Sequence, residues 1–468
     1  MGENTESNFD LLRPEEQMEL AEDYFTGKGV QRSFRTAVEL YKKAAGSGNV
    51  TAAIKLGCLY FEGTHVKQDQ AEAFRLLKRA EEQEELPAPA VNYLGECYEH
   101  GYGTDIDLDK ALDKYEKAAV MNSGKAYMNL GRCYELGISV EKNEREAFVC
   151  YERAEGLNEP ESAHTLARCC EHGIGTEIDA KKAAAFYAKG ARSNHPPSQK
   201  ALGRCYELGI GVAKNKNTSL NWYTKAAKGG DVDAQIKVAS SLVASSANGK
   251  PENIATAMEW YEKAALQGSE EGMEGLRQCR SDLGTEEAAA KAFHAFEAAM
   301  TKGFSAVIHL LAESYKEGYG TEKDLKKAFE LYEKGAQVEQ NSLCQFNYAV
   351  CLEMGEGTEK NIEKAIEWYE KASSNGDEDA GYRIGCLILN GLVQGRTQQQ
   401  GLDLVSESAD KESEDALCEM GVRFMTGIRE GEEIILPVDY NKAVKCFRAC
   451  RDHPRALGCY GYCFETGK

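Results

Sequence analysis

Positive charge is what this chain has least of relative to its opposite. Lys and Arg number 56 against 76 Asp and Glu, a formal charge of −20. Such a surface cannot neutralise a phosphate backbone over a broad area, which excludes a nucleic-acid-binding protein. Long apolar runs are missing too: none approaches the ~18 residues that a membrane-spanning helix needs. The first residues, MGENTESNFDLLRPEEQ, lack the basic start and apolar core of a signal peptide. Glu6 breaks the myristoylation pattern that Met1-Gly2 begins. Phosphate loops, GxSxG and HExxH do not occur. Proline is rare, at 9 residues against 45 glycines, and 28% of residues are charged, which suits a helical chain.

What is present is a period. LGECYEHG at Leu94–Gly101 is followed by LGRCYELG at Leu130–Gly137, LARCCEHG at Leu166–Gly173 and LGRCYELG again at Leu202–Gly209. The first small residue of each copy stands at Ala21, Gly57, Gly95, Gly131, Ala167, Gly203 and Ala239. The phase continues through Arg277, Ala312, Ala349, Gly385, Gly421 and Gly461, at gaps close to 36. A length of 468 residues would otherwise suggest about three domains; an array grows by adding layers instead. Ala126, Leu130, Tyr134 and Gly137 have helical spacing, as do Ala111, Leu112, Tyr115, Ala118 and Ala119, so each copy reads as two helices. Between them lies a loop such as GYGTDIDLDK, whose glycines suit a left-handed helix end. Acids such as Asp109 and Asp324 favour the next helix start.

The pattern LGxxY…GxG(T/V)xxDxxKAxxxYxKAA resembles the Sel-1-like repeat family, a relative of the tetratricopeptide repeats. The resemblance implies an all-α fold: an α/α superhelical solenoid of about 12 helix pairs of ~36 residues plus a terminal half repeat. The period places a disordered N-terminal tail over residues 1–13 and the solenoid over 14–468, with atypical repeats around 240–303. There SSLVASSANGKPEN and CRSDLGTEEAAAK lack the GxG loop, so the array is expected to bend or loosen near Ser240–Ala290. Unit twelve carries a longer loop, TGIREGEEIILPVDY. The resemblance also implies a partner-binding scaffold, with the first helices lining a concave groove. Family members include ubiquitin-ligase adaptors, chitin-synthase activators and secreted cysteine-rich proteins, so the fold does not select one role.

Candidate chemistry reads mostly as structure. Seven of the 16 cysteines, Cys97, Cys133, Cys169, Cys205, Cys279, Cys351 and Cys463, share one repeat phase on the apolar arc, where a thiol acts as a small hydrophobe. The regular pairing of the secreted relatives is missing, so free thiols in a reducing, cytoplasmic compartment are expected. Cys97 with His100 and Cys169 with His172 mimic ligand pairs, but sister repeats put Leu136 and Leu208 in the His slot. Asp105, Asp107, Asp109 and Glu116 mimic a calcium loop with Lys110 where glycine is needed. Ser139-x-x-Lys142 and Ser408-x-x-Lys411 lack the companion motifs of a β-lactamase. No metal, no cofactor and no catalytic residue is assigned. Trp222, Trp260 and Trp368 share one second-helix phase and read as packing.

With the small residue of each first helix at 0°, positions −3, +1 and +4 fall at about 60°, 100° and 40°, away from the apolar arc. In units three to six, +1 reads Glu96, Arg132, Arg168, Arg204 and +4 reads Glu99, Glu135, Glu171, Glu207. This is either a solvated salt-bridge ladder or a groove for a polar peptide. In units ten to twelve the same face carries Phe346, Val350, Tyr382, Cys386, Leu389, Val422 and Met425, an apolar patch of the kind that marks docking surfaces. The expected function is a non-enzymatic scaffold or adaptor for proteins or peptides, possible in a ubiquitin-ligase or signalling assembly. The expected partner-binding residues are Phe346, Val350, Tyr382, Leu389, Val422, Met425, Arg132, Arg168 and Arg204. The rivals are a hydrolase related to the secreted cysteine-rich proteins and a luminal adaptor of ER-associated degradation. The last unit, with Tyr460, Cys463 and Phe464 on inward slots, is either a cap or an exposed end that self-associates.

Overall fold

Helix starts and stops follow the repeat. The computed structural model describes residues 9, 11–245, 251–337, 340–450 and 453–465, with only the backbone of 464 and 465. It divides into two compact units, residues 1–231 and 232–468. The first holds α1 (Pro14–Thr26), α2 (Phe34–Gly46), α3 (Val50–Glu62), α4 (Gln70–Glu81), α5 (Ala88–His100), α6 (Leu108–Val120), α7 (Gly124–Leu136), α8 (Glu144–Gly156), α9 (Ser162–His172), α10 (Ala180–Arg192), α11 (Pro196–Leu208) and α12 (Lys216–Lys228). The second holds α13 (Val232–Ser245), α14 (Pro251–Ala265), α15 (Glu270–Leu283), α16 (Glu286–Thr301), α17 (Ile308–Glu317), α18 (Leu325–Gln337), α19 (Ser342–Met354), α20 (Ile362–Ser374), α21 (Glu378–Leu389), α22 (Gln398–Asp410), α23 (Glu414–Thr426), α24 (Tyr440–Ala449) and α25 (Pro454–Glu465). Each unit is a run of tandem helix pairs, the all-α solenoid architecture.

The loop chemistry explains the boundaries. Asp107 Oδ1 accepts from the Lys110 amide at 3.0 Å and starts α6; Asp179 and Asp324 do the same for α10 and α18. The supposed calcium-loop acid is thus a helix cap. The first glycine of each GxG ends its helix in the left-handed region, as Gly173 does at φ 76°. The second glycine has another job. At Gly175, also at positive φ, an added Cβ would fall on the Glu144 carbonyl oxygen, so only glycine lets the loop lie against the start of α8.

Within a pair the contact is a ring against a bare backbone. Gly131 of α7 leaves room for the Tyr151 ring of α8, and Gly95 does so for Tyr115. The seven in-phase cysteines are all at most 2% exposed and belong to the core. Burial pushes the Cys97 and Cys169 thiols up to about 12 and those of Cys133 and Cys205 to about 11. None of the sixteen cysteines is in a disulfide bond in the described structure.

Four features add to or correct the expectations. Of the tail expected over 1–13, Phe9 is packed: its ring lies edge-on to Tyr24 at 6.4 Å, and its carbonyl accepts from Gln17 Nε2. The long loop of unit twelve forms a two-stranded antiparallel hairpin, β1 (Ile428–Glu430) and β2 (Glu433–Leu436), anchored by buried Ile428. Near Ser240–Ala290, residues 246–250 lie outside the described residues. Gly275 of α15 lies against the Tyr261 ring of α14, and only Gly284 and Thr285 separate α15 from α16. Finally, the face predicted to be open on the first helices is partly closed. Successive first helices lie side by side, so the next repeat covers positions −3 and +4: Asn92 is 1% exposed and the Glu99 side chain 8%.

Candidate partner-binding surfaces

The charged ladder of the first unit is a row of stitched repeats. Glu99 of α5 accepts from Tyr115 Oη of α6 at 2.6 Å and from both Arg132 Nη atoms of α7 at 2.7 and 2.6 Å. Glu135 repeats this with Tyr151 at 2.7 Å and Arg168 at 2.8 and 2.7 Å. Glu171 takes Tyr187 at 2.8 Å and pairs with Arg204, and Glu207 takes Tyr223 at 2.8 Å. The tyrosine is always 16 residues after its glutamate, and for Glu99, Glu135 and Glu171 the arginine is 33 after. Bidentate arginine–carboxylate geometry is the strong form of the contact. The hydrogen bonds from Arg168 are the main reason the Glu135 carboxyl sits below its ordinary range, against the opposing effect of burial. At Glu99 burial is the larger single influence, and the bonds from Arg132 and Tyr115 together outweigh it. The pairing across neighbours, offered by the sequence beside pairing within one helix, is the one formed.

Arg132, Arg168 and Arg204 are therefore engaged, yet their side chains remain 37%, 36% and 42% exposed. Arg132 and Arg168 line a cavity of about 370 Å³ between α7 and α9, with Met128, Leu136, Tyr151 and Thr165. Leu136 is 62% exposed beside it, and Leu208 is 53% exposed in the same slot two repeats on.

In units ten to twelve most of the same slots are apolar, and there they are seam. Leu389 stands where Glu99 stands and is 6% exposed, packed with Leu402 and Val405; it offers no surface, which corrects its assignment as an open contact. Phe346, Val350, Tyr382, Val422 and Met425 are half-buried. The Phe346 ring lies 5.4 Å from Tyr369, and Met425 Sδ meets Cys463 Sγ at 3.8 Å. The physical cause is the lateral packing of first helices, which a single helical wheel does not contain. On α25, Cys463 is 1% exposed and Tyr460 Oη accepts from Arg448 Nε at 2.9 Å, while the Phe464 side chain lies outside the described residues.

One Ser–His arrangement escaped the sequence reading because its members are not in one motif. His195 Nδ1 lies 2.8 Å from Ser198 Oγ, which lies 3.4 Å from His164 Nδ1. Ser198 is fully buried against Gly190, so no substrate can reach its hydroxyl. Burial, with His195 beside it, pulls the His164 ring down to about 4. No group of three or more His, Cys, Asp or Glu among the described residues could hold a metal ion. No described helix is long and apolar enough to cross a membrane.

Paired helices repeated in tandem define a helical repeat architecture. The family model described as Sel1 repeat matches ten segments: 17–49, 50–84, 88–122, 124–157, 160–195, 196–231, 232–269, 305–337, 342–377 and 414–449. The chain belongs to the Sel1 repeat family. The segments left unmatched include α15 with α16 and α21 with α22. A crystal structure of c5321, a protective antigen of uropathogenic Escherichia coli with an SLR fold, is similar at TM-score 0.50 and 24% identity, covering 98% of this chain and 96% of that one. A Sel1 repeat protein from Oxalobacter formigenes is 28% identical over 48% of this chain and 88% of its own, at TM-score 0.42. No curated protein gives a significant match. Scaffolds of this family typically mediate protein–protein interaction and are generally non-catalytic.

Proposed function

We propose that the chain is a non-enzymatic adaptor that docks proteins or peptides on its first helices. The observation that carries this is the cavity lined by Arg132 and Arg168 with Leu136 exposed beside it. It offers partly exposed arginines, a residue type enriched among interface hot spots, next to exposed apolar surface. Arg204 and Leu208 continue the strip. In the second unit the half-exposed edges of Phe346, Val350, Tyr382, Val422 and Met425 would extend a less polar strip. A partner of acidic and apolar character suits the first region. The sixteen free, mostly buried thiols support a reducing, cytoplasmic location. Membership of a ubiquitin-ligase or signalling assembly belongs to this reading as one setting for such an adaptor. Self-association through α25 is a separate reading, favoured by Leu457 and Tyr462, which are 56% and 49% exposed.

A photoactivatable cross-linker placed at position 136 should capture a discrete partner in cells. The same group at Val120, 82% exposed on a second helix, should not. Equal capture from both positions, or none from 136, would reject first-helix docking.

A further inference from the structure

Arg280 departs from the two-bond pairing that Arg132 and Arg168 make with their glutamates. It lies 33 residues before Glu313, the separation of Glu99 from Arg132, but with the signs exchanged. Its Nη2 reaches Glu313 Oε2 at 3.3 Å, longer than any of the 2.6–2.8 Å bonds made by Arg132 and Arg168. Its Nη1 is buried with no hydrogen-bond partner among the described residues. The residue is 6% exposed, and its guanidinium faces the Tyr319 ring at 4.4 Å. Sixteen residues on, where the ladder has a tyrosine hydroxyl, stands Phe296, fully buried. With phenylalanine in that slot, Arg280 finds no hydroxyl oxygen there to donate to.

Arg280 lines a cavity of about 510 Å³ with Arg277, Ser281, Thr285, Glu313 and Tyr319. Here the α15–α16 junction is only Gly284-Thr285, without the GxG loop. Arg277 is held by Glu274, through Nε at 2.9 and 3.0 Å. Thr285 Oγ1 accepts from the Ala288 amide at 3.2 Å, so the N-terminus of the 16-residue α16, where the helix dipole is positive, opens on the same cavity. An underused, nearly buried arginine fork and a helix N-terminus on one cavity both favour an anion.

We propose that this cavity binds a carboxylate carried by a partner peptide, with Arg280 as its principal ligand. The anion class follows from the walls. Glu313 and Glu286 also line the cavity, so a dianion such as phosphate meets more repulsion than a monoanion. A planar carboxylate also matches the guanidinium fork two bonds to two. The source is a peptide C-terminus or an Asp or Glu side chain. This site lies in the second unit and is independent of first-helix docking at Arg132 and Arg168.

The test is calorimetric titration of the full chain with four probes. These are acetyl-Gly-Gly-Gly-Leu with a free C-terminus, acetyl-Gly-Glu-Gly-Leu-amide, the neutral acetyl-Gly-Gly-Gly-Leu-amide and inorganic phosphate. One of the two carboxylate peptides should bind at least tenfold more tightly than the neutral one, and which one identifies the source. R280M should weaken that binding at least tenfold, and R132M should leave it unchanged. S281E, an exposed change at the same cavity, should weaken it too, and decides the matter if R280M loses its helicity. Equal binding of charged and neutral peptides, tighter binding of phosphate, or binding that survives S281E would overturn the proposal.

Discussion

The seam between successive first helices is written in charge in one unit and in several scripts in the other. Residues 99, 135 and 171 are glutamates, each with a tyrosine 16 and an arginine 33 positions later. In the second unit the sign inverts at Arg280 and Glu313. Glu353 keeps its tyrosine, Tyr369 at 2.7 Å, but finds Cys386 where the arginine would be. At Leu389, Val405 and Val422 the set is wholly apolar. The slots stay while their contents change. A solenoid seam demands that neighbours complement one another, not that they be of one type, because it buries each side chain between two copies of a shared geometry.

The sharpest break in that comparison is the pair F346E with Y382E. Two charges driven into half-buried seam positions should cost about 4 kcal/mol or more and abolish cooperative melting of the second unit, read by circular dichroism. Survival of the fold would mean those side chains are surface after all.

Next come the glycines. G175A sets a Cβ on a carbonyl oxygen at positive φ and should cost about 3 kcal/mol in urea unfolding. G284A, at φ 58° with no atom nearer than 4.0 Å, should cost about 1 kcal/mol. Equal losses would show that the atypical junction is as constrained as the regular loops.

The charged seam is tested by E135Q, which strips Arg168 of its counter-charge and should lower stability by about 2 kcal/mol. Its counterpart is R280E, which faces Glu313 with a like charge; adding E313R should recover most of the loss. A double mutant no better than the single one would deny that the inverted pair is a seam pair.

pH acts through buried histidines in both units, His309 of the second also being pulled below its ordinary range by burial. His164 is held neutral, with a folded value of about 4 against an ordinary 6.5. Between those values the unfolded chain binds the extra proton, so stability falls as pH drops from 6.5 to 4. H164F should flatten that decline by about 1 kcal/mol, seen in melting midpoints across the window. The smallest effect belongs to L136E: an exposed side chain should change stability by no more than about 0.5 kcal/mol. It should nevertheless abolish partner capture if the first-helix strip is the docking surface.

The period, the helix pairs, the acids near helix starts, the left-handed glycines and the buried cysteine phase were legible from residues alone, though not that Asp107 rather than Asp109 caps α6. Each depends on contacts within about one turn of helix or on a pattern repeated many times over. The irregular junction was legible as a missing GxG, though not the contact of Gly275 on α15 with the Tyr261 ring of α14. The hairpin at Ile428–Leu436 was visible only as extra length, because a strand pair of so few residues leaves little alternation to read.

The sequence by itself determined which residues face a helix's own partner, since 3.6 residues per turn and the apolar arc suffice for that. Only the tertiary structure decided what lies on the other side of each first helix. Whether Glu99 pairs within α5 or across to Arg132 depends on lateral spacing between repeats, as does whether Leu389 meets solvent or Val405. The same spacing leaves Arg280 short of partners. No window of sequence one helix wide contains that distance, because it is set by the volumes of many side chains packed at once.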